Sequence, residues 1–221
     1  MEKYFYIIEW AYNISIGTAI IPAIAAIFRG KFLNFPLKIA AINIIRTLIL
    51  GVLGLYFSFI NHNNQFLFYL SPCLDIILIS LLTISIFDLG KELKWVLTLL
   101  CVIFISLMIK DYLTSKTLLN SYLSSAETVF VIIISILMLR KVVLTYKSST
   151  YKRSLIWILS ALLIMNLYSI LISTLMEKIS TYSNELMQFY WYISSPLFIV
   201  ITNLMVAYGF YIIRNKVKEA Q

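Results

Sequence analysis

The sequence predicts an all-α polytopic membrane protein, a bundle of seven transmembrane helices. Three observations lead there. Of 221 residues, 61% are hydrophobic and 13% charged, with a mean hydropathy of +0.91. Soluble domains carry roughly 25% charged residues, and a soluble core of this size cannot hide so much apolar surface. Second, the apolar residues fall into seven continuous segments, each long enough to cross a bilayer as a helix. Third, these segments do not alternate polar and apolar positions, which argues against a closed β-barrel.

The segments lie at about 5–28, 37–60, 66–87, 95–112, 121–144, 154–176 and 190–213. Segment 95–112 is the shortest. Brief connections separate them: Arg29-Gly30-Lys31 and Asn34-Phe35-Pro36 between the first pair, Asn61-His62-Asn63-Asn64 between the second. The reading is a single seven-helix transmembrane domain over residues 1–221, with no soluble output domain. The N-terminus lacks a basic n-region and a small-residue cleavage site, so the first segment is expected to be retained. Cys73 and Cys101 both fall inside apolar segments, where buried thiols are expected rather than a disulfide framework.

The net charge of +8 is distributed as an orientation signal, not as a nucleic-acid footprint. One set of flanks holds Arg29, Lys31, Lys38, Lys91, Lys94, Arg140, Lys141, Lys147, Lys152, Arg153, Arg214, Lys216 and Lys218. The opposite set holds only Lys3, Lys110, Lys116 and Lys178, and Arg46 sits within a span. The richer set belongs in the cytoplasm, giving an N-terminus outside and a C-terminus inside. Tyr4, Phe5, Tyr190, Trp191 and Tyr192 at outer ends, with Trp95 and Tyr151 near inner ends, suit interfacial aromatic belts.

Internal similarity is faint. Gly17-Thr18 leading to Arg29-Gly30-Lys31 parallels Glu127-Thr128 leading to Arg140-Lys141, and Tyr69-Leu70-Ser71-Pro72 parallels Tyr192-Ile193-Ser194-Ser195-Pro196. Spans 1–3 and 5–7 then resemble parallel repeats around a linking fourth span, a 3+1+3 arrangement known in sugar transporters of the SWEET type.

Ionisable residues within spans are costly and mark function by default. Glu9, Arg46, Asp75 and Glu127 qualify. Helical spacing extends them into polar stripes: Glu9, Asn13 and Gly17; Asn43, Thr47 and Gly51 beside Arg46; Ser71 and Asp75; Ser124, Glu127, Thr128 and Ser135. Span 6 adds Asn166, Ser169 and Ser173, and span 7 adds Ser195, Thr202 and Asn203. Span 4 has the weakest stripe. Rise per residue places Asn13, Asp75, Glu127 and Asn166 roughly 9–15 Å below the outer helix ends, and Arg46 and Asn203 about 20 Å down. Arg46 can reach outward to Asp75 across about 8 Å. The expected site is an outward-facing polar chamber lined by Asn13, Arg46, Asp75, Glu127, Asn166 and Asn203.

A structural reading stands beside it. Interhelical hydrogen bonds alone explain Asn, Ser and Thr stripes, and an Arg46–Asp75 pair serves equally as a structural clamp. Glu127 has no evident basic partner in the outer half, whereas Glu9 lies near the interface and is expected to be solvated. Pro22, Pro72 and Pro196 permit kinks. Ala19, Ala23 and Ala26 form a small-residue packing face.

Catalytic vocabulary is missing. His62 is the lone histidine and lies in a loop, against a multi-histidine metal site or a Ser-His pair in the bilayer. There is no Gly-rich phosphate loop and no paired-carboxylate motif on one helix. Val206-Ala207-Tyr208-Gly209-Phe210 resembles the last helix of microbial rhodopsins, but Ala207 stands where their retinal-binding lysine would be. Neither an enzyme nor a cofactor is expected.

Phe35-Pro36-Leu37-Lys38, the run from Asn63-Asn64-Gln65 through Tyr69, and Asp75 together resemble a group of seven-span membrane proteins common in Bacteroidetes with no established activity. The group often shows histidine and glutamate where this chain has Tyr69 and Asp75. Asn203 matches a recurrent asparagine. The resemblance implies a bacterial plasma-membrane protein and draws attention to Asp75 and Asn203. The function expected is a non-enzymatic sensor or accessory subunit binding a small cation, amine or zwitterion, since acidic side chains outnumber Arg46 in the chamber. A protein partner on the cytoplasmic face or in the membrane would carry the output. A small secondary transporter with carboxylate-coupled alternating access is the alternative.

Overall fold

The computed structural model describes residues 10–11, 13–15, 17–60, 65–115, 121–146, 149–179 and 184–213. The side chains of 58, 68, 115, 121–122, 124 and 172–193 lie outside that description. Glu9, His62 and Lys147 also lie outside the described residues, as does the side chain of Ser173. Every regular element among them is helical: α1 (Ile20–Arg29), a 3-10 turn (Gly30–Phe32), α2 (Phe35–Phe59), α3 (Gln65–Phe87), α4 (Lys91–Ser115), α5 (Ser121–Thr145), α6 (Thr150–Ile179) and α7 (Asn184–Tyr211).

Seven helical stretches are long and apolar enough to span a membrane, beginning with Asn13–Phe32 and ending with Ser194–Tyr211. Each overlaps one of the seven apolar segments of the sequence. The main difference is α4, expected at 95–112 but running over 25 residues. Its first turn takes in Lys91, Glu92 and Lys94, charged residues that form helix readily although they do not belong in hydrocarbon. Side chains such as Phe59, Trp95, Leu99 and Leu113 are largely exposed, which suits helices solvated by lipid.

Proline acts differently in different spans. Helical backbone already precedes Ile20, at residues 10–11, 13–15 and 17–18, and residue 19 interrupts it as a single turn three residues ahead of Pro22. The ring of Pro22 has no N–H for the Thr18 carbonyl and crowds it, which removes one hydrogen bond there, while Ala19 keeps right-handed helical angles (φ −63°, ψ −20°). Pro72 and Pro196 lie inside α3 and α7, which continue through them. Helix α3 ends at Asp88, whose positive φ of 49° is a left-handed stop that a short polar side chain tolerates.

The contacts divide the chain into two compact units, Met1–Phe32 with Tyr146–Gln221, and Leu33–Thr145. In the first unit, α7 packs on α6 and on α1. Ala23 and Ala26 are buried on α1, the small-residue face read in the sequence. Gly209 permits the α6–α7 approach: a Cβ there would lie 2.8 Å from Ile158 Cγ1 and 3.2 Å from the Ser154 carbonyl oxygen. Around that crossing, Trp157 meets Tyr208 edge-on and Tyr168 stacks on Phe198.

In the second unit, α3 is the hub and packs on α2, α4 and α5. Its buried residues Ile76, Ile79, Thr83 and Ile86 recur every three or four positions. Helix α5 answers with Thr128, Val131, Ser135, Met138 and Val142, all buried, in the 3-4-3-4 spacing of a close helix–helix seam. Polar groups join the helices: Thr83 Oγ1 donates to Met138 Sδ at 3.7 Å, and Cys101 Sγ donates to Ser80 Oγ at 3.1 Å. Cys73 and Cys101 are free thiols.

Candidate ligand-binding site

Three of the six residues expected to bind ligand come together in the second unit. Arg46, near the middle of α2, donates from Nη2 to Asp75 Oδ1 on α3 at 2.7 Å and from Nη1 to the Ser71 carbonyl at 2.9 Å. The same Nη2 donates to Thr47 Oγ1 at 3.1 Å, and the Thr47 hydroxyl donates to the Asn43 carbonyl one turn earlier. On the α3 side, Ser71 Oγ donates to Asp75 Oδ2 at 3.3 Å, as the i, i+4 spacing allows. The guanidinium is thus held against one turn of α3. The pair is mostly removed from solvent, with 12% of the Arg46 side chain and 26% of Asp75 exposed.

Glu127 completes the cluster from α5. It is half-buried, hydrogen-bonds with the Thr128 hydroxyl and interacts electrostatically with both Asp75 and Arg46. The Thr83–Met138 contact sets the register of the two helices. It places Glu127 about 4–5 Å along the axis from Asp75, toward the helix starts. Among the described residues the ion pair is Arg46–Asp75, and Glu127 makes none. Two carboxylates therefore face one guanidinium.

Two buried polar atoms at this cluster have no hydrogen-bond partner: Arg46 Nε and Asn43 Oδ1. They stand three residues apart on α2, on one face. Asn43 belonged to a polar stripe in the sequence but not to the expected site. The signal was available, because i, i+3 spacing from an in-span arginine puts an amide beside it. Ser71 and Thr47 were likewise visible as stripe members, though not as partners of the guanidinium.

The other three expected residues lie in the first unit and do not gather into such a cluster there. Asn203 Nδ2 donates to Thr18 Oγ1 at 3.0 Å, and Thr18 Oγ1 donates to the Ser15 carbonyl at 2.6 Å. This ties α7 to the stretch before α1. Asn166 Nδ2 donates to the Leu162 carbonyl of its own helix at 2.8 Å. Asn13 is exposed. A further polar contact was not legible beforehand: Tyr69 Oη donates to Asp111 Oδ2 at 3.0 Å, with Tyr69 edge-on to Tyr112. Among the described residues no group of three or more His, Cys, Asp or Glu side chains is placed to hold a metal ion. In comparison with known proteins, the chain matches no protein-family model, no curated protein and no solved structure.

Proposed function

We propose that the chain is a non-enzymatic membrane sensor or accessory subunit that binds a small polar or cationic ligand at the Arg46–Asp75–Glu127 cluster. One observation carries this reading. Glu127 is a second in-span carboxylate beside an arginine already committed to Asp75. Such an ionisable group is expensive in a bilayer and marks function by default. The reading assigns Asn166 and Asn203 to helix packing, since their amides already bond within the protein. It gives Asn13 no part.

The bias of lysine and arginine between loops supports an N-terminus outside and a C-terminus inside a bacterial plasma membrane. With that orientation Asp75 and Glu127 fall in the outer halves of their helices, on the side from which an external ligand would arrive. A partner at the basic cytoplasmic ends would read the altered helix packing. The reading does not require the 3+1+3 repeat. Two carboxylates sharing one guanidinium also favour a second reading, a small secondary transporter coupled through Glu127.

The test is thermal unfolding of the purified protein with methylamine, ethanolamine, choline and putrescine. A shift that is lost in Glu127→Gln supports the reading. No shift from any of the four, in wild type and variant alike, overturns it. Uptake of the bound amine into proteoliposomes, abolished in Glu127→Gln, selects transport; binding without uptake selects sensing.

A further inference from the structure

Resting on the reading of this cluster as a ligand site, we infer that its ligand is a zwitterion, with an ammonium and a carboxylate on the same or neighbouring carbons, as in free α-amino acids. The argument starts from what the cluster leaves unused. Arg46 directs Nη1 to the Ser71 carbonyl and Nη2 to Asp75 and Thr47. Its Nε–H is buried and points at no acceptor. Asn43 Oδ1, one turn away, is a buried acceptor with no donor. Buried polar groups are almost always paired, so a donor and an acceptor left open one helical turn apart on the same face mark a place for a molecule that supplies both partners.

Charge decides what that molecule is. A simple ammonium satisfies Asn43 Oδ1 and Glu127 but leaves the Arg46 Nε–H unmade. A simple carboxylate satisfies Nε but must approach Asp75 and Glu127 without a cation of its own. Water fills both hydrogen bonds, yet brings no cation to Glu127. A zwitterion meets all three demands: its carboxylate takes the Arg46 Nε–H, and its ammonium sits between Asn43 Oδ1 and Glu127. Guanidinium suits this part because its planar donors recognise carboxylates directionally. Asp75 and Ser71 hold the guanidinium so that Nε stays available.

The experiment uses the full chain in detergent and three matched sets of probes. They are glycine with methylamine and acetate, leucine with isopentylamine and 4-methylpentanoate, and phenylalanine with phenethylamine and 3-phenylpropionate. The expected result is at least one amino acid binding tenfold or more tighter than both its amine and its acid. Arg46→Lys keeps a cation for Asp75 but removes Nε. It should weaken the amino acid about 10- to 100-fold more than it weakens the matched amine, the range of a charge-assisted hydrogen bond. Glu127→Gln should weaken both. Amines that bind as tightly as amino acids, with Arg46→Lys indifferent to either, overturn the zwitterion while the cationic reading stands. No binding from any set overturns the zwitterion too, and the fate of the broader reading then follows from the choline and putrescine measurements.

Asn43→Leu provides a measurement independent of probe choice and of whether Arg46→Lys folds. Replacing an amide whose buried oxygen has no partner by an isosteric apolar group should raise the unfolding temperature of the ligand-free protein. A fall would show that Asn43 already makes a structural bond, and would overturn the inference.

Discussion

Charge-neutralising substitutions at Arg46 and Asp75 should have unequal effects on stability. At 2.7 Å, with an effective dielectric constant of about 20, the gross attraction between the two ions is about 6 kcal/mol. Desolvation offsets much of that, and helices unfolded within a membrane find other polar partners. A net coupling of about 1–3 kcal/mol remains. Arg46→Gln leaves Asp75 and Glu127 facing each other without their cation, so it should destabilise by about 2–3 kcal/mol. Asp75→Asn leaves Arg46 bonded to Ser71 and Thr47 with Glu127 still near, and should cost about half as much. In the double variant the loss should fall below the sum of the singles. Reversible unfolding in mixed micelles, run as a double-mutant cycle, measures this. Additivity within about 0.3 kcal/mol, or a larger loss for Asp75→Asn than for Arg46→Gln, would refute the reasoning.

Three further outcomes are expected. Gly209→Ala should lower stability by about 1–3 kcal/mol in the same assay, because its methyl meets Ile158 and the unyielding Ser154 carbonyl; Ile158→Ala should recover part of the loss. Asn203→Ala should cost about 0.6 kcal/mol through the lost bond to Thr18, with ammonium binding unchanged; an equal loss of binding would return Asn203 to the site. In intact cells, a membrane-impermeant maleimide should label His62→Cys and spare Ser148→Cys, and the reverse pattern would invert the proposed orientation.

The seven spans were legible because apolar length alone decides what crosses a bilayer, and no partner helix is needed to read it. Arg46 and Asp75 were legible as a pair because an in-span cation has few possible partners. What spacing could not reveal was which helices touch. Continuously apolar helices present similar faces to every neighbour, so nothing in Ala23 or Phe210 announces that span 1 packs with span 7. For the same reason the six-residue chamber could not be separated in advance into a cluster around Arg46, an Asn166 bonded to its own helix and an Asn203 bonded to Thr18. Asp111 illustrates a different limit. It sits near a helix end, where charge is inexpensive, and only the fold brings it to Tyr69.

The central claim is that Glu127 is kept for a ligand at some expense to the fold. Unfolding temperatures of wild type and Glu127→Gln, each with and without the tightest-binding ammonium probe, test it most directly. Saturating ligand at 100 times its dissociation constant should stabilise the wild type by about 2.7 kcal/mol, a rise of about 5–10 °C for a chain of this length. The account predicts a ligand-free Glu127→Gln that melts at or above the wild type and no longer responds to the ammonium. A variant that melts lower yet still responds fully would contradict it.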